Sequence, residues 1–488
     1  MPTTYSRILQ IHNRYLKKSV SCVELTQMYL EAIKMENKAL NAYITVTHEQ
    51  ALAQAKQVDS LLARGEELSL LAGIPMALKD NISTRNIRTT CGSKMLRRYI
   101  PVYDAFVWNT LAGKLAVLLG KTNLDEFAMG STGESSYFGA VPNPHDFSRV
   151  AGGSSSGTAA AVCAGLAAYG LGSDTGGSLR QPSAFCGVIG LKPTYGAVSR
   201  CGLVAHASGM DQIGPIAYSV QDAALVFDAI CAPDPQDATC RGGWSNCARR
   251  LGEPIRGARI AMPKELYDGI TPEVSQAIGN AAKIYRKLGA EVEEISLPSL
   301  LYALPAYYIL SSAEASSNLG RFDGIRFGCR AEHYESVEEG IRKTRSEGFG
   351  KEVRRRILLG TYVLSAGYYD AYYKKAQEMR NVIRREMEKA LTQYDFLLTP
   401  AASCAAFFKN QMSNAVQTYQ TDLCTVPANL AGLPAVSLPC GIDPAGMPLG
   451  MQLIGRAFGE SHLLNAAYAF EQETEGQYLN TLDRGVTL

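Results

Sequence analysis

Between residues 85 and 230, short apolar runs alternate with Gly/Ser-rich loops and helical patterns. That rhythm limits the fold more than any other feature, because buried strands interleaved with helices close up as an α/β sheet. A second signal agrees. Arg259-Ile-Ala-Met262 reads as a strand, Thr271 and Pro272 take the N-cap and N1 positions of a helix, Gly289 closes it, and Glu291 to Leu297 alternates as the next strand. Further strand-like runs fall at Gly73–Lys79, Asp395–Pro400, Ala435–Pro439 and Gly450–Ile454, with a last helix over about 460–474. Residues 1–50 read as two helices, the second opened by a Ser21/Glu24 capping box, and 50–66 as a third. With 488 residues, 46% of them hydrophobic, a large core is within reach. No strong linker interrupts the chain. The expectation is one domain over 1–488: N-terminal helices (1–66), a core (67–230), an aperiodic excursion (231–257), and the rest of the sheet (258–488) with a helical lobe at about 300–395.

Charge and cysteine usage exclude several classes. The net charge is +2 with acids and bases mixed, so no global field favours nucleic acid or a membrane. Twelve scattered cysteines include no C-x-x-C pair, which argues against zinc and thioredoxin-like motifs and for free thiols in a reducing cytoplasm. The N-terminus lacks a signal peptide's apolar core. The longest low-charge stretch, Thr158–Gly172, is too short to span a bilayer and reads as a buried helix. The six histidines show no metal spacing, so no metal site is expected.

Two motifs fail their context. Gly120-Lys121-Thr122 follows an apolar run, but a phosphate loop needs glycine where Leu115 stands. Gly153–Gly157 matches G-x-S-x-G, yet the residues before it read as loop, whereas a nucleophile elbow requires a strand. No cysteine sits in the corresponding G-x-C-x-G context.

Three segments together carry chemistry: Gly73–Asn81, which ends a strand on Lys79; Gly152-Gly-Ser154-Ser-Ser-Gly157; and Gly172-Ser-Asp-Thr-Gly-Gly177-Ser178-Leu-Arg180. Successive N–H groups of a glycine turn converge as an anion nest, and a tetrahedral oxyanion requires such a nest. Thr175, Gly176, Gly177 and Ser178 are the natural donors, and Ser178 is placed to attack. Serine needs a base. Lys79 can serve only when neutral, which means lowering its pKa from about 10.4 to near 7, about 4 kcal/mol of differential stabilisation. Burial at a strand end has the right sign. Ser154 can bridge, accepting from Ser178 and donating to Lys79.

These segments closely resemble the amidase signature family, whose defining block is similar to Gly152–Thr194 throughout. The usual Gly-Gly-Ser-Ser-Gly-Gly reads Gly-Gly-Ser-Ser-Ser-Gly here. The resemblance implies a central mixed β-sheet covered by helices on both faces, with Ser178 as acyl-forming serine, Ser154 as bridge and Lys79 as base. Ser312–Phe327, Gly348–Tyr373, Asp422–Pro439 and Gly450–Glu460 resemble one branch of the family, the A subunits of tRNA-dependent glutamyl/aspartyl-tRNA amidotransferases. The resemblance to this branch implies a glutaminase. Tyr307, Arg356 and Asp422 would grip the amino-acid end of glutamine, with Tyr308 and Arg354 or Arg355 as alternative members. It further implies cytoplasmic B and C partner subunits, ATP and Mg used by the partner and no cofactor in this chain, tRNA met through the complex, and no membrane. A stand-alone amidase with the same triad but no Arg356/Asp422 pair is the rival reading.

Overall fold

The computed structural model describes residues 5–243, 245–412, 414–479, 482, 485 and 486. The first four residues of the N-terminal stretch, Trp244 of the excursion and part of the 475–488 tail, which resembles the branch only weakly, therefore lie outside the described residues.

Eleven strands form one sheet: β1 (Tyr43–Val46), β2 (Pro75–Lys79), β3 (Val117–Thr122), β4 (Tyr169–Asp174), β5 (Ile189–Lys192), β6 (Gln212–Ala217), β7 (Arg259–Pro263), β8 (Glu291–Ile295), β9 (Phe396–Pro400), β10 (Ala435–Ile442) and β11 (Pro448–Ile454). Their spatial order is β1-β3-β2-β4-β6-β5-β10-β11-β9-β7-β8. The sheet is mixed: β3-β2-β4 and β9-β7-β8 are parallel, and the pairs joining them are antiparallel. Every residue of β2, β3, β4, β6, β9 and β11 is buried, so both faces of the central sheet are covered.

The start and stop signals behave as their chemistry dictates. Ser21 and Glu24 form the full capping box of helix Cys22–Leu40. Thr271 and Pro272 open helix Pro272–Lys287, and Gly289 follows it at φ +87°. Gly120-Lys121-Thr122 ends β3, with Lys121 buried and donating to Ile82 O (2.6 Å) and Thr89 Oγ1 (2.8 Å); it is a strand end and not a phosphate loop.

Two expectations are corrected. Thr158–Gly172 is not one buried helix: helix Ser156–Cys163 stops there and β4 begins at Tyr169. A run that is buried on every side carries no period by which helix and strand can be told apart. Residues 1–50 hold the two expected helices, Arg7–Leu16 and Cys22–Leu40, and also the four-residue edge strand β1.

The 300–395 region contributes helices Ala303–Asn318, Val337–Gly348, Lys351–Leu364 and Lys375–Gln393, with a π-helical segment at Tyr369–Lys374. It shares a second apolar core with β9, β10 and β11 through Leu300, Tyr307, Tyr308, Ile383 and Met387. Gly360 lies against Ser312 O, closer than any Cβ would allow. One turn earlier on each helix, this close crossing sets Arg356 over the Tyr308 ring. Among the described residues no helix is long and apolar enough to cross a membrane, and all twelve cysteines are free thiols.

Candidate active site

Parallel pairing of β2 and β4 builds the site. Leu78 stands opposite Leu171, so Lys79 at the end of β2 emerges beside Ser173, and the turn after β4 lies at the same sheet edge. Ligands of open α/β sheets collect outside the carboxyl ends of parallel strands. Lys79 is fully buried. Its Nζ lies 2.8 Å from Ser154 Oγ, 2.9 Å from Ser155 Oγ, 3.0 Å from Ser173 Oγ and 3.3 Å from Ser173 O. Burial pulls its pKa down to about 7, against the opposing pull of the more distant Asp125, Asp174 and Asp211.

The hydroxyl network is compatible with a neutral amine. Ser155 Oγ donates to Ser173 O (3.1 Å), so towards Lys79 it is an acceptor. Ser173 Oγ accepts from Asn81 Nδ2 (3.0 Å). A neutral amine has two N–H bonds and one lone pair. With the two N–H bonds directed to Ser155 and Ser173, the lone pair faces the Ser154 hydroxyl, the arrangement a base requires. Ser154 is held from both sides: its carbonyl accepts from Asp125 N (3.2 Å), and Gly153 N donates to Gln181 Oε1 (2.9 Å). The Gly153–Ser154 peptide is cis.

Ser178 is 8% exposed and follows Gly177, whose φ is +137°. A side chain on Gly177 would collide with Thr425, and one on Gly176 with the Tyr307 ring. These contacts explain why both positions are glycine. Ser155 N donates to Ser178 O (3.1 Å), which joins the two serine segments. Among the described residues no hydrogen bond joins Ser178 Oγ to Ser154. The nest differs from expectation at one donor. Gly177 N–H is donated to Asp174 Oδ1 (2.8 Å), and Leu179 N–H to Asp174 Oδ2 (3.1 Å). That leaves the amides of Thr175, Gly176 and Ser178 for an oxyanion. Asp174 is in turn paired with buried Arg180 (3.1 Å), which also binds Thr425 O, Gln452 and Asn429.

The three residues assigned to the amino-acid end meet around a fourth. Tyr307 packs over Gly176 of the nest. Tyr308 donates to Asp422 Oδ2 (2.6 Å) and stacks on Tyr419 at 3.8 Å. Arg356 lies 4.8 Å over Tyr308 and 5.3 Å over Tyr419. Of the triple arginine, Arg354 is exposed, Arg355 half-buried and Arg356 buried. Arg356 Nε donates to Glu352 Oε1 (2.9 Å), which also accepts from Tyr419 Oη (2.8 Å). Among the described residues its outer nitrogens have no protein acceptor. Asp422 is buried, and burial raises its pKa to about 6. Sequence reasoning missed Ser155, Ser173 and Asn81 around the lysine and Glu352 and Tyr419 around the arginine. Only Glu352 carried a signal, the i,i+4 spacing to Arg356. No group of three or more metal-ligating side chains occurs among the described residues.

A buried lysine poised near neutrality, two serines on converging loops and a three-amide nest suit acyl transfer from an amide. A cation and a carboxylate beside them suit a zwitterionic substrate. Comparison with known proteins agrees. The family model described as Amidase matches residues 24–464. The chain is 50% identical over 472 residues to the A subunit of the glutamyl-tRNA(Gln) amidotransferase of Thermosynechococcus vestitus, covering 96% of this chain and 98% of that one. It is 51% identical over 478 residues to the protein of the same name from Carboxydothermus hydrogenoformans, with 97% and 98% covered. The crystal structure of its counterpart from Thermotoga maritima superposes with a TM-score of 0.79 at 39% identity, over 96% of this chain and 97% of that one. The native peptide amidase of Stenotrophomonas maltophilia superposes at 0.82 with 30% identity, over 98% and 99%. The chain belongs to the amidase family.

Proposed function

We propose that this chain is the glutamine-hydrolysing subunit of a tRNA-dependent amidotransferase. Two features support the reading: the Lys79–Ser154 contact of 2.8 Å, with no carboxylate within hydrogen-bond distance of the amine, and the buried Arg356 and Asp422, both against Tyr308 beside the nest. Neutral Lys79 takes the Ser154 proton as Ser154 takes that of Ser178. Ser178 Oγ attacks the side-chain carbonyl carbon of glutamine. The amides of Thr175, Gly176 and Ser178 receive the oxyanion. Its collapse breaks the C–N bond, the relay returns a proton to the leaving nitrogen, and ammonia departs. Water then adds to the Ser178 glutamyl ester through the same relay and releases glutamate. Arg356 pairs with the α-carboxylate, Asp422 with the α-ammonium, and Tyr307 walls the side chain. The ammonia serves amidation of Glu-tRNA(Gln) or Asp-tRNA(Asn) on a partner subunit, which uses ATP and Mg in the cytoplasm; a third subunit completes a heterotrimer.

The test is ammonia release from glutamine, asparagine and simple amides by the chain alone and with its partner subunits, with Ser178→Ala as blank. Glutamine preference that rises with the partners supports the reading. Fast turnover of simple amides by the lone chain with glutamine ignored makes it an independent amidase. The pH dependence is a further expected result. Catalysis needs neutral Lys79, so kcat/KM is on its plateau above about pH 7 and falls tenfold per pH unit below it. Protonation of Asp422 below about pH 6 steepens the loss by weakening the grip on the ammonium. A pH–rate profile measured with glutamine checks this; a flat profile between pH 5 and 8 contradicts it.

A further inference from the structure

Glu352 lies against Arg356 in an incomplete way. A carboxylate beside a guanidinium frequently engages it through two parallel N–H···O bonds. Glu352 makes only one, from Arg356 Nε to Oε1 (2.9 Å). Its two oxygens are engaged elsewhere. Oε2 accepts from Arg355, and Oε1 accepts a second bond, from the Tyr419 hydroxyl (2.8 Å). The helix that carries Tyr419, Ala415–Gln420, contains no buried residue, so Tyr419 is not a core anchor. Its ring stacks on Tyr308 at 3.8 Å and 21° between planes, and Tyr308 donates to Asp422 Oδ2 (2.6 Å). Its backbone oxygen accepts from Asp422 N (3.1 Å). Tyr419 thus touches the partner of Arg356 on one side, and Asp422 with its partner on the other.

We infer that Tyr419 is a positioning residue for glutamine recognition: its hydroxyl occupies Glu352 Oε1, keeps that carboxylate from engaging Arg356 a second time, and so leaves the outer guanidinium nitrogens to the α-carboxylate of the substrate. The inference rests on the glutamine reading above. A guanidinium has five N–H donors in a fixed fork and no acceptor, so two carboxylates beside it compete for the same edges. With one lone pair of Oε1 given to Arg356 Nε and the other to Tyr419, Glu352 is a one-point partner that orients the fork. Without the hydroxyl that second lone pair is free. Glu352 then turns onto an outer nitrogen of Arg356 and acts as an internal competitor of glutamine. The Tyr308–Tyr419 stack does not depend on the hydroxyl, so Asp422 keeps its partner.

The experiment uses the chain with its partner subunits and two substrates, glutamine and 4-aminobutanamide, which is glutamine without the α-carboxylate. Tyr419→Phe keeps the ring and its stack and removes only the hydroxyl. The expected result is a KM for glutamine about tenfold higher with kcat within about threefold, as for loss of one hydrogen bond to a charged group. KM for 4-aminobutanamide stays unchanged. A second background separates this role from a general loosening of the site. Glu352→Gln presents one acceptor oxygen and no charge, so it cannot compete for the fork. Added to Glu352→Gln, Tyr419→Phe therefore shifts KM for glutamine by no more than about twofold. An unchanged KM for glutamine in Tyr419→Phe, equal losses on both substrates, or the same tenfold loss in the Glu352→Gln background each overturns the inference and leaves the glutaminase reading standing. No hydrolysis of glutamine by the unmodified complex overturns both.

Discussion

Replacing Lys79 with alanine lowers kcat for glutamine hydrolysis by roughly 10^4-fold or more, a loss on the scale seen when the base of a serine triad is removed. The chain surrounds the Nζ with four oxygens from three serines and no carboxylate within hydrogen-bond distance. A charged lysine in that cage lacks a counter-ion, which is why burial dominates and the amine is poised near pH 7. Without it, Ser154 has no acceptor for its proton and cannot take one from Ser178. Lys79→Arg gives no rescue, because a guanidinium does not lose its proton. The check is kcat with glutamine beside a thermal melt of the same protein. A folded Lys79→Ala chain with more than a tenth of normal turnover would remove lysine from the mechanism.

The second large effect falls on binding. Arg356→Met raises KM for glutamine roughly 100-fold, in line with the roughly 2–5 kcal/mol lost when one partner of a buried charge pair is truncated. It leaves turnover of a simple amide within a few-fold. The structure offers a competing explanation that must be separated. Arg356 also shares the Glu352 carboxylate with Arg355 and lies over Tyr308 and Tyr419, so its loss takes one of two cations from a half-buried charge. Arg356→Met combined with Glu352→Gln removes that liability. If the double variant regains the normal KM for glutamine, Arg356 is structural. If its KM stays high, the guanidinium binds substrate. Asp422→Asn is expected to act in parallel, since Tyr308 can still donate to the amide oxygen while the charge that holds the ammonium is gone.

How much of this is readable in the chain depends on whether the signal is local. Lys79 at a strand end, the Ser21/Glu24 box and the Thr271–Gly289 helix each follow from a few neighbouring residues, and the structure carries all three. The α/β class follows from alternation, and the mixed sheet with covered faces from family resemblance. The Ala/Gly run at 158–172 misleads because complete burial erases period, and it divides into a helix end and a buried strand. Gly177 reads as a nest donor because glycine turns offer their amides. Asp174, three residues earlier, takes that one, a choice set by the side-chain geometry of Asp174 rather than by composition. The cage around Lys79 is illegible for a different reason. Ser155 and Ser173 come from separate segments, and only the β2–β4 register brings them to one nitrogen. Tyr419 stacks on Tyr308 from more than a hundred residues away and carries no pattern in the sequence.

Covalent trapping shows whether Ser178 carries the glutamyl group. The complex is mixed with glutamine, quenched in acid within the first turnovers, digested, and mapped by mass spectrometry. One glutamyl increment is expected on the peptide holding Ser178, absent in Ser178→Ala and absent in Lys79→Ala. A glutamyl adduct on Ser154, Ser155 or a cysteine, or steady ammonia release by Ser178→Ala, would contradict it.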